Sequence, residues 1–344
     1  MMRVYFDRAN FESFISQRSK DEARFELCND MLKKQMDVFL NMNMAEFQTS
    51  PLCVSWLTTM TSGAKKFPDC NPEVFSFEPI TDSDSFVSDL DKEEHSSIFL
   101  LDDEKINEVS FGKGVMAGII GNEIEVLSKL IIDEDTKYIS SLTDRHFRAT
   151  NNWSPLIPYI RPCTDIIIRD AFILLNQRNH RYENNIYSLI LKLASELKDS
   201  KLNIVIVCLR FNPNEANQIE PGWDDIRLNI KQILKTRNNV DASVTYIIAN
   251  KKKSIKHDRT IFTNYIRYLP DDSLGNFYDN RGAFSSESDQ FHIHSMAKSS
   301  LYDDAINFID KIQSLIYDIY RGNVDGGEIK KDPDYDVLSN YLTF

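Results

Sequence analysis

The side chains with the most chemical potential lie together in KKKSIKHDRTIFTNY, residues 251–265. One imidazole (His257), one guanidinium (Arg259) and four ammonium groups (Lys251, Lys252, Lys253 and Lys256) occupy this run. A guanidinium presents a planar fork of donors that matches a phosphate, and lysines add positive charge around it. His257 and Arg259 are two residues apart, so extended backbone turns both to one face. This set suits binding of a phosphate diester. A second set is acidic: Asp7 and Asn10 follow the apolar run Val4–Phe6, and Asp102, Asp103 and Glu104 follow Ser97–Leu101. Carboxylates at the C-terminal ends of neighbouring strands are how divalent-ion sites of metal-dependent nucleases are assembled. The same residues also fit a helix N-cap and an acidic first helical turn.

Both sets need strands and helices to hold them. Val4–Phe6 reads as a short strand, and Ala23–Met42 has helical spacing through Phe25, Leu32, Met36, Phe39 and Leu40. Residues 62–97 read as a long connection, Ser97–Leu101 as a strand and Asn122–Leu130 as a helix; a second connection spans about 144–163. Beyond it come a strand at Thr164–Leu174, a helix at Asn184–Leu197 and a buried strand at Leu202–Leu209. A helix at Asp224–Thr236 and strands at Ser243–Ala249 and Thr260–Ile266 follow, then a helix at Leu301–Tyr320 striped with Ile306, Ile309, Ile312, Ile316 and Ile319. Alternating strands and helices predict an α/β protein. The expected organisation is a smaller α/β domain over 1–150, a second domain over 160–322 and a polar C-terminal tail over 323–344, with 322–336 a flexible segment.

The run HDRTIFTN resembles the His-x-Lys-x4-Asp signature of the phospholipase D-like superfamily, which contains lipases and nucleases. His257 stands at the His position, Arg259 at the Lys position and Asn264 at the Asp position. The strand Ser243–Ala249 and the strand carrying the motif also resemble that family's half-domain, and the resemblance covers about residues 164–320. It implies a His that acts as nucleophile or acid/base, a cation that binds phosphate and an Asp that orients or tunes a His. This chain departs from the pattern. Asn264 offers no anionic partner to an imidazolium, and the Gly-Ser that follows the Asp is replaced by the displaced Ser273, Gly275 and Asn276. One motif is present where active members use two, from a repeat or a dimer. The resemblance therefore implies a non-catalytic module that binds a phosphate-bearing ligand such as nucleic acid. Degenerate modules of this kind recur in bacterial systems acting against foreign DNA. A phosphodiesterase or nuclease remains the alternative, with His257 as nucleophile across a homodimer or with a divalent metal on Asp7, Asp102 and Asp103. The opening VYFDRANF resembles the start of PIN-like or NYN ribonuclease domains through one strand, one Asp and one Asn. A protein-interaction scaffold is the third reading.

Composition narrows these options. A net charge of -12 disfavours a protein that coats nucleic acid broadly, so phosphate contacts must come from a local basic patch. Five scattered cysteines (28, 53, 70, 163 and 208) without a CxxC pair fit a reducing cytosol rather than a disulfide framework. The N-terminal residues lack a signal-peptide apolar stretch, and runs such as IIIRDAFILL are too short and too charged to span a bilayer, so a cytoplasmic protein without membrane contact is expected. No cofactor is expected outside the divalent metal of the nuclease reading. Gly112-Lys-Gly114-x3-Gly118 lacks the Gly-Lys-Ser/Thr ending of a P-loop and reads as tight packing ahead of the helix that follows. His292 and His294 share a strand face but read as surface histidines.

Overall fold

The extended run Arg3–Asp7 (β1) forms because its apolar residues are wanted on both faces: Val4, Tyr5 and Phe6 are all buried. Tyr5 stacks across strands on Phe39 and Phe99, with centroids 4.9 Å and 5.2 Å away, whereas Phe6 packs against Phe11 and Phe14 of the next helix. The computed structural model describes residues 1–61, 69–70, 96–101, 114–133, 135–173, 181–209, 222–249, 259–271, 274–277, 283–284, 290–324 and 326–332. The protein is α/β, and the chain divides into two units. One is Met1–Tyr138 with Ser295–Ala305, and the other is Ile139–His294 with the described residues from Ile306 onward.

In the N-terminal unit, β1 leads into α1 (Arg8–Ser16), then α2 (Glu22–Gln35), β2 (Asp37–Asn41), α3 (Met44–Thr49), α4 (Pro51–Thr61), β3 (Asp69–Cys70), β4 (Ile98–Leu100), β5 (Met116–Gly118) and α5 (Glu123–Ser128). The helix expected over 23–42 ends at Gln35. Met36 is extended, and Val38 and Leu40 alternate inward as a strand that pairs with β1, Val4 opposite Val38. Strand pairing took those apolar residues from the helical stripe. The sheet order is β3-β2-β1-β4-β5, and every pair is parallel. The chain builds outward from β1 to one side and then crosses to the other, so β1 and β4 flank a topological switch point.

The C-terminal unit contains β6 (Ile139–Thr143), α6 (Asp144–Thr150), β7 (Asp165–Arg169), α7 (Ser188–Leu193), β8 (Lys201–Leu209), α8 (Trp223–Asn238), β9 (Asp241–Ala249), β10 (Thr260–Phe262), β11 (Ile266–Pro270), β12 (Gln290–Ser295) and β13 (Glu328–Lys330). Its sheet order is β13-β9-β8-β7-β10-β11-β12-β6. β7, β8 and β9 run parallel, and β10 turns back antiparallel to β7. Residues 139–150 fall in this unit, not the first, because β6 pairs with β12, Thr143 opposite Gln290. The single strand expected over 260–266 is a hairpin: β10 and β11 pair antiparallel around a turn at Thr263–Tyr265. The long helix α9 (Ser299–Tyr320) buries Ile309, Ile312 and Ile316. The segment expected to be a flexible tail is partly built into the sheet, since β13 pairs with β9, Ile329 opposite Ile247.

Candidate functional site

Arg259 precedes β10 immediately, and Thr260 is opposite Arg169, the last residue of β7. Antiparallel pairing therefore puts Arg259 at the C-terminal end of the parallel strands β7, β8 and β9. That is the edge where α/β sheets hold ligands, because loops there are free to vary on a fixed scaffold. Arg259 is half-buried and donates from Nη1 to the carbonyl of Asp271, which steers the guanidinium across the end of the hairpin. Asp170, 1% exposed, follows β7 and shapes the same end: its Oδ1 accepts from Phe172 N at 2.8 Å and its Oδ2 from Leu274 N at 3.2 Å. The chain leaves β9 at Ala249 and returns at Arg259, so residues 250–258 join two points on this one edge. His257, Lys251, Lys252, Lys253 and Lys256 lie outside the described residues.

Asn264 belongs elsewhere. It is 1% exposed in the β10–β11 turn, where its Oδ1 accepts from Thr164 N (2.8 Å) and Asp165 N (3.2 Å) and its Nδ2 donates to Thr164 Oγ1 (2.9 Å). These partners start β7, whereas Arg259 sits where β7 ends. At roughly 3.3 Å per residue the length of that strand separates the two side chains by about 15 Å. The sequence expectation that Asn264 shares a site with Arg259 is corrected on this point: its amide braces the entry of β7. A polar ladder in register continues the brace, with Asn203 Nδ2 donating to Asp165 Oδ1 (3.1 Å) and Ser243 Oγ donating to Asn203 Oδ1 (2.8 Å).

Two arginines near this hairpin escaped the sequence analysis. The Arg169 guanidinium lies 4.6 Å from the Phe308 ring centroid, and that of Arg267 lies 5.2 Å from Phe262 and 5.5 Å from Phe308. Arg267 Nε also donates to Thr260 Oγ1 at 3.2 Å. A charged residue ending the apolar run DIIIR was the available signal, since a cation in a buried strand needs an aromatic or anionic partner.

At the N-terminal switch point the side chains present oxygen. Asp7 ends β1 and caps α1: its Oδ1 accepts from Asn10 N (2.8 Å) and Asn10 Nδ2 (3.1 Å). Asn10 is fully buried, and its Oδ1 has no hydrogen-bond partner. An unsatisfied buried carbonyl costs about 1–3 kcal/mol, so this one marks a place where a donor or cation would be welcome. β4 is the parallel neighbour of β1, Phe6 opposite Leu100, which sets Leu101 alongside Asp7. Asp102, Asp103 and Glu104, next in the chain, lie outside the described residues.

β5 adds groups that sequence reasoning missed. Glu123 is fully buried and accepts from Gly121 N (3.1 Å), Ser13 Oγ (3.2 Å) and Gln17 Nε2. Burial pushes its carboxyl above the usual range, against the pull of those donors. Asn122 Oδ1 is buried without a partner, directly above Gly118, where an added Cβ would meet it at 2.6 Å. Gly118 is therefore needed for close approach, as the glycine-dense sequence suggested. The one available signal was the acid placed just after GIIGN.

Among the described residues no group of three or more His, Cys, Asp or Glu side chains converges as a metal cage. His292 Nδ1 contacts Ser141 Oγ at 2.8 Å across the β12–β6 pair. Cys28, Cys53, Cys163 and Cys208 are buried thiols; burial raises all four, Cys28 to about 12, which removes them as nucleophiles. No helix among the described residues is long and apolar enough to cross a membrane. No protein-family model matches this chain, and no curated protein matches it significantly.

Proposed function

We propose that this chain is a cytoplasmic phosphate-recognition protein whose C-terminal unit binds nucleic acid or another phosphodiester without cleaving it. The observation that carries the reading is the register of β10 on β7, which sets Arg259 at the ligand-binding edge of three parallel strands. The sequence feeds His257 and four lysines into the connection that ends at Arg259. The engagement of Asn264 at the far end of β7 supports binding over turnover, because the residue at the motif's Asp position is a neutral amide whose groups are taken up in bracing the strand. The reduced, buried cysteines fit the proposed compartment. The test is fluorescence anisotropy with a labelled single-stranded oligonucleotide over a KCl series. Affinity should fall with salt and fall further in Arg259→Ala, with no product formed. Turnover that vanishes in His257→Ala and sediments with a dimer would replace this reading with a covalent phosphodiesterase.

One observation favours a second reading for the N-terminal unit: the unpartnered Asn10 Oδ1 beside Asp7 at the switch point. Carboxylate and amide oxygens suit a hard divalent ion such as Mg²⁺ or Mn²⁺. Asp7 and Asn10 would hold it, with Asp102 and Asp103 supplied by the chain after β4, and the ion would polarise a phosphodiester and its attacking water. Cleavage that requires Mn²⁺, stops in EDTA and is lost in Asp7→Asn and Asp102→Asn supports this reading; metal-independent activity removes it.

A further inference from the structure

Asp170 and Arg259 leave the C-terminal sheet side by side. Thr260, the first residue of β10, is opposite Arg169, the last of β7, so the next residue outward is Arg259 on one strand and Asp170 on the other. Partners across an antiparallel pair have Cα atoms about 4.5–5.5 Å apart. The register therefore sets a carboxylate next to the guanidinium at the ligand-binding edge.

Two acids stand at this end, and their surroundings differ. Asp271 is exposed and meets Arg259 through its backbone carbonyl, so water and salt screen its side-chain charge. Asp170 is 1% exposed, and its Oδ1 and Oδ2 accept from the backbone N–H groups of Phe172 (2.8 Å) and Leu274 (3.2 Å). Two such donors favour the ionised carboxylate. Burial takes that charge out of water, so its field reaches the neighbouring guanidinium with little screening.

We propose that Asp170 sets the charge of the ligand: the site takes a phosphodiester, with one negative charge, and discriminates against a terminal phosphate monoester, with nearly two. The proposal rests on the phosphate-binding reading of the C-terminal unit and names the ligand class within it. A guanidinium alone favours the dianion, because its attraction grows with ligand charge. A carboxylate beside it repels in the same proportion, so the second charge of a monoester brings repulsion that offsets its attraction to Arg259. The interior of a nucleic-acid strand, all diesters, is then the ligand rather than a phosphorylated end.

The experiment uses the full chain at pH 8, where a phosphate monoester carries about two charges. Thymidine 5′-phosphate and its methyl ester, which differ in one charge and one methyl group, compete against a labelled single-stranded DNA at low salt. On the wild type the methyl ester should displace the strand at least as well as the free monophosphate, despite its smaller charge. In Asp170→Asn the monophosphate should gain about tenfold relative to the ester, the size of one charge's interaction with a carboxylate near a protein surface. If the monophosphate is the stronger competitor on the wild type, the discrimination falls, whether or not Asp170→Asn folds, and the phosphate reading stands. An unchanged ratio in a folded Asp170→Asn overturns it equally. If the wild type binds no labelled strand, the phosphate reading fails and takes the discrimination with it.

Discussion

At the C-terminal ends of its strands the N-terminal sheet ends on Asp7 beside the buried amide of Asn10, whereas the C-terminal sheet ends on Arg259 beside the buried carboxylate of Asp170. Asp7 and Asn10 lie at the end of β1, Asn122 and Glu123 follow β5, and Arg259 closes the end of β7. The backbone device is the same in both, a set of parallel strands ending together beside a change of strand order. What differs is the side chain that each loop delivers. Fold alone therefore assigns neither ligand; under the two proposed readings, charge would give the units opposite partners, a cation and an anion.

The sharpest way to break this comparison is to exchange the roles of Arg259 and Asn264. Asn264→Ala should cost about 2–4 kcal/mol in urea unfolding, because the backbone N–H groups of Thr164 and Asp165 lose a buried acceptor. Arg259→Ala should cost less than about 1 kcal/mol, since its hydrogen bond to Asp271 lies at a partly exposed position. A reversal of those sizes would make Arg259 the brace and Asn264 the ligand group.

The switch point offers the next test. Asp7→Asn should leave stability nearly unchanged, because an Asn side chain caps α1 about as well as an Asp, whereas Asp7→Ala should lose about 1 kcal/mol. Mn²⁺ should raise the melting temperature of the wild type and leave that of Asp7→Asn unchanged. Equal shifts in the two proteins would remove the cation from the N-terminal half of the comparison.

The smallest effect is electrostatic and lies away from both sites. Asp30 loses some solvation on burial, but hydrogen bonds from Lys34 and Lys137 (3.0 Å) outweigh that and hold its carboxyl below the ordinary 3.8. A depressed carboxylate stabilises the fold above its unfolded value, and the contribution disappears as pH falls through the lower folded value. Asp30→Asn should therefore cost at most about 1 kcal/mol at neutral pH, reduced by solvent screening, and nothing in strong acid. A difference that persists there would show that packing, not charge, is responsible.

Much of the architecture was legible in the sequence because buried parallel strands announce themselves. LNIVIVCL and DASVTYIIA have no other stable use in water than the centre of a sheet. Boundaries failed where two periodicities overlapped. Met36 and Phe39 fit a helical stripe, yet Val38 and Leu40 fit a strand, and pairing with β1 decided between them. Thr263–Tyr265 hides a turn without glycine or proline, so two strands read as one. At the sites, Asp7 and Arg259 were visible because charge at a strand end is conspicuous. Glu123, Arg169 and Arg267 were not, because their meaning depends on partners far away in sequence: Ser13 for Glu123, and Phe308 for the two arginines. Asp332, which accepts from Arg227 and Lys231 on α8, was missed for the same reason, since both are more than a hundred residues distant.

The central claim is that Arg259 contacts phosphate, and the salt dependence of binding tests it most directly. Measured for the same labelled single strand across a KCl series, the slope of log affinity against log salt should fall by about 0.7 in Arg259→Ala, the share of one phosphate contact on single-stranded nucleic acid. Absolute affinity should fall about tenfold, as expected for one charge-assisted hydrogen-bonding group. An unchanged slope and affinity in Arg259→Ala, with binding intact, would place the phosphate elsewhere and contradict the account.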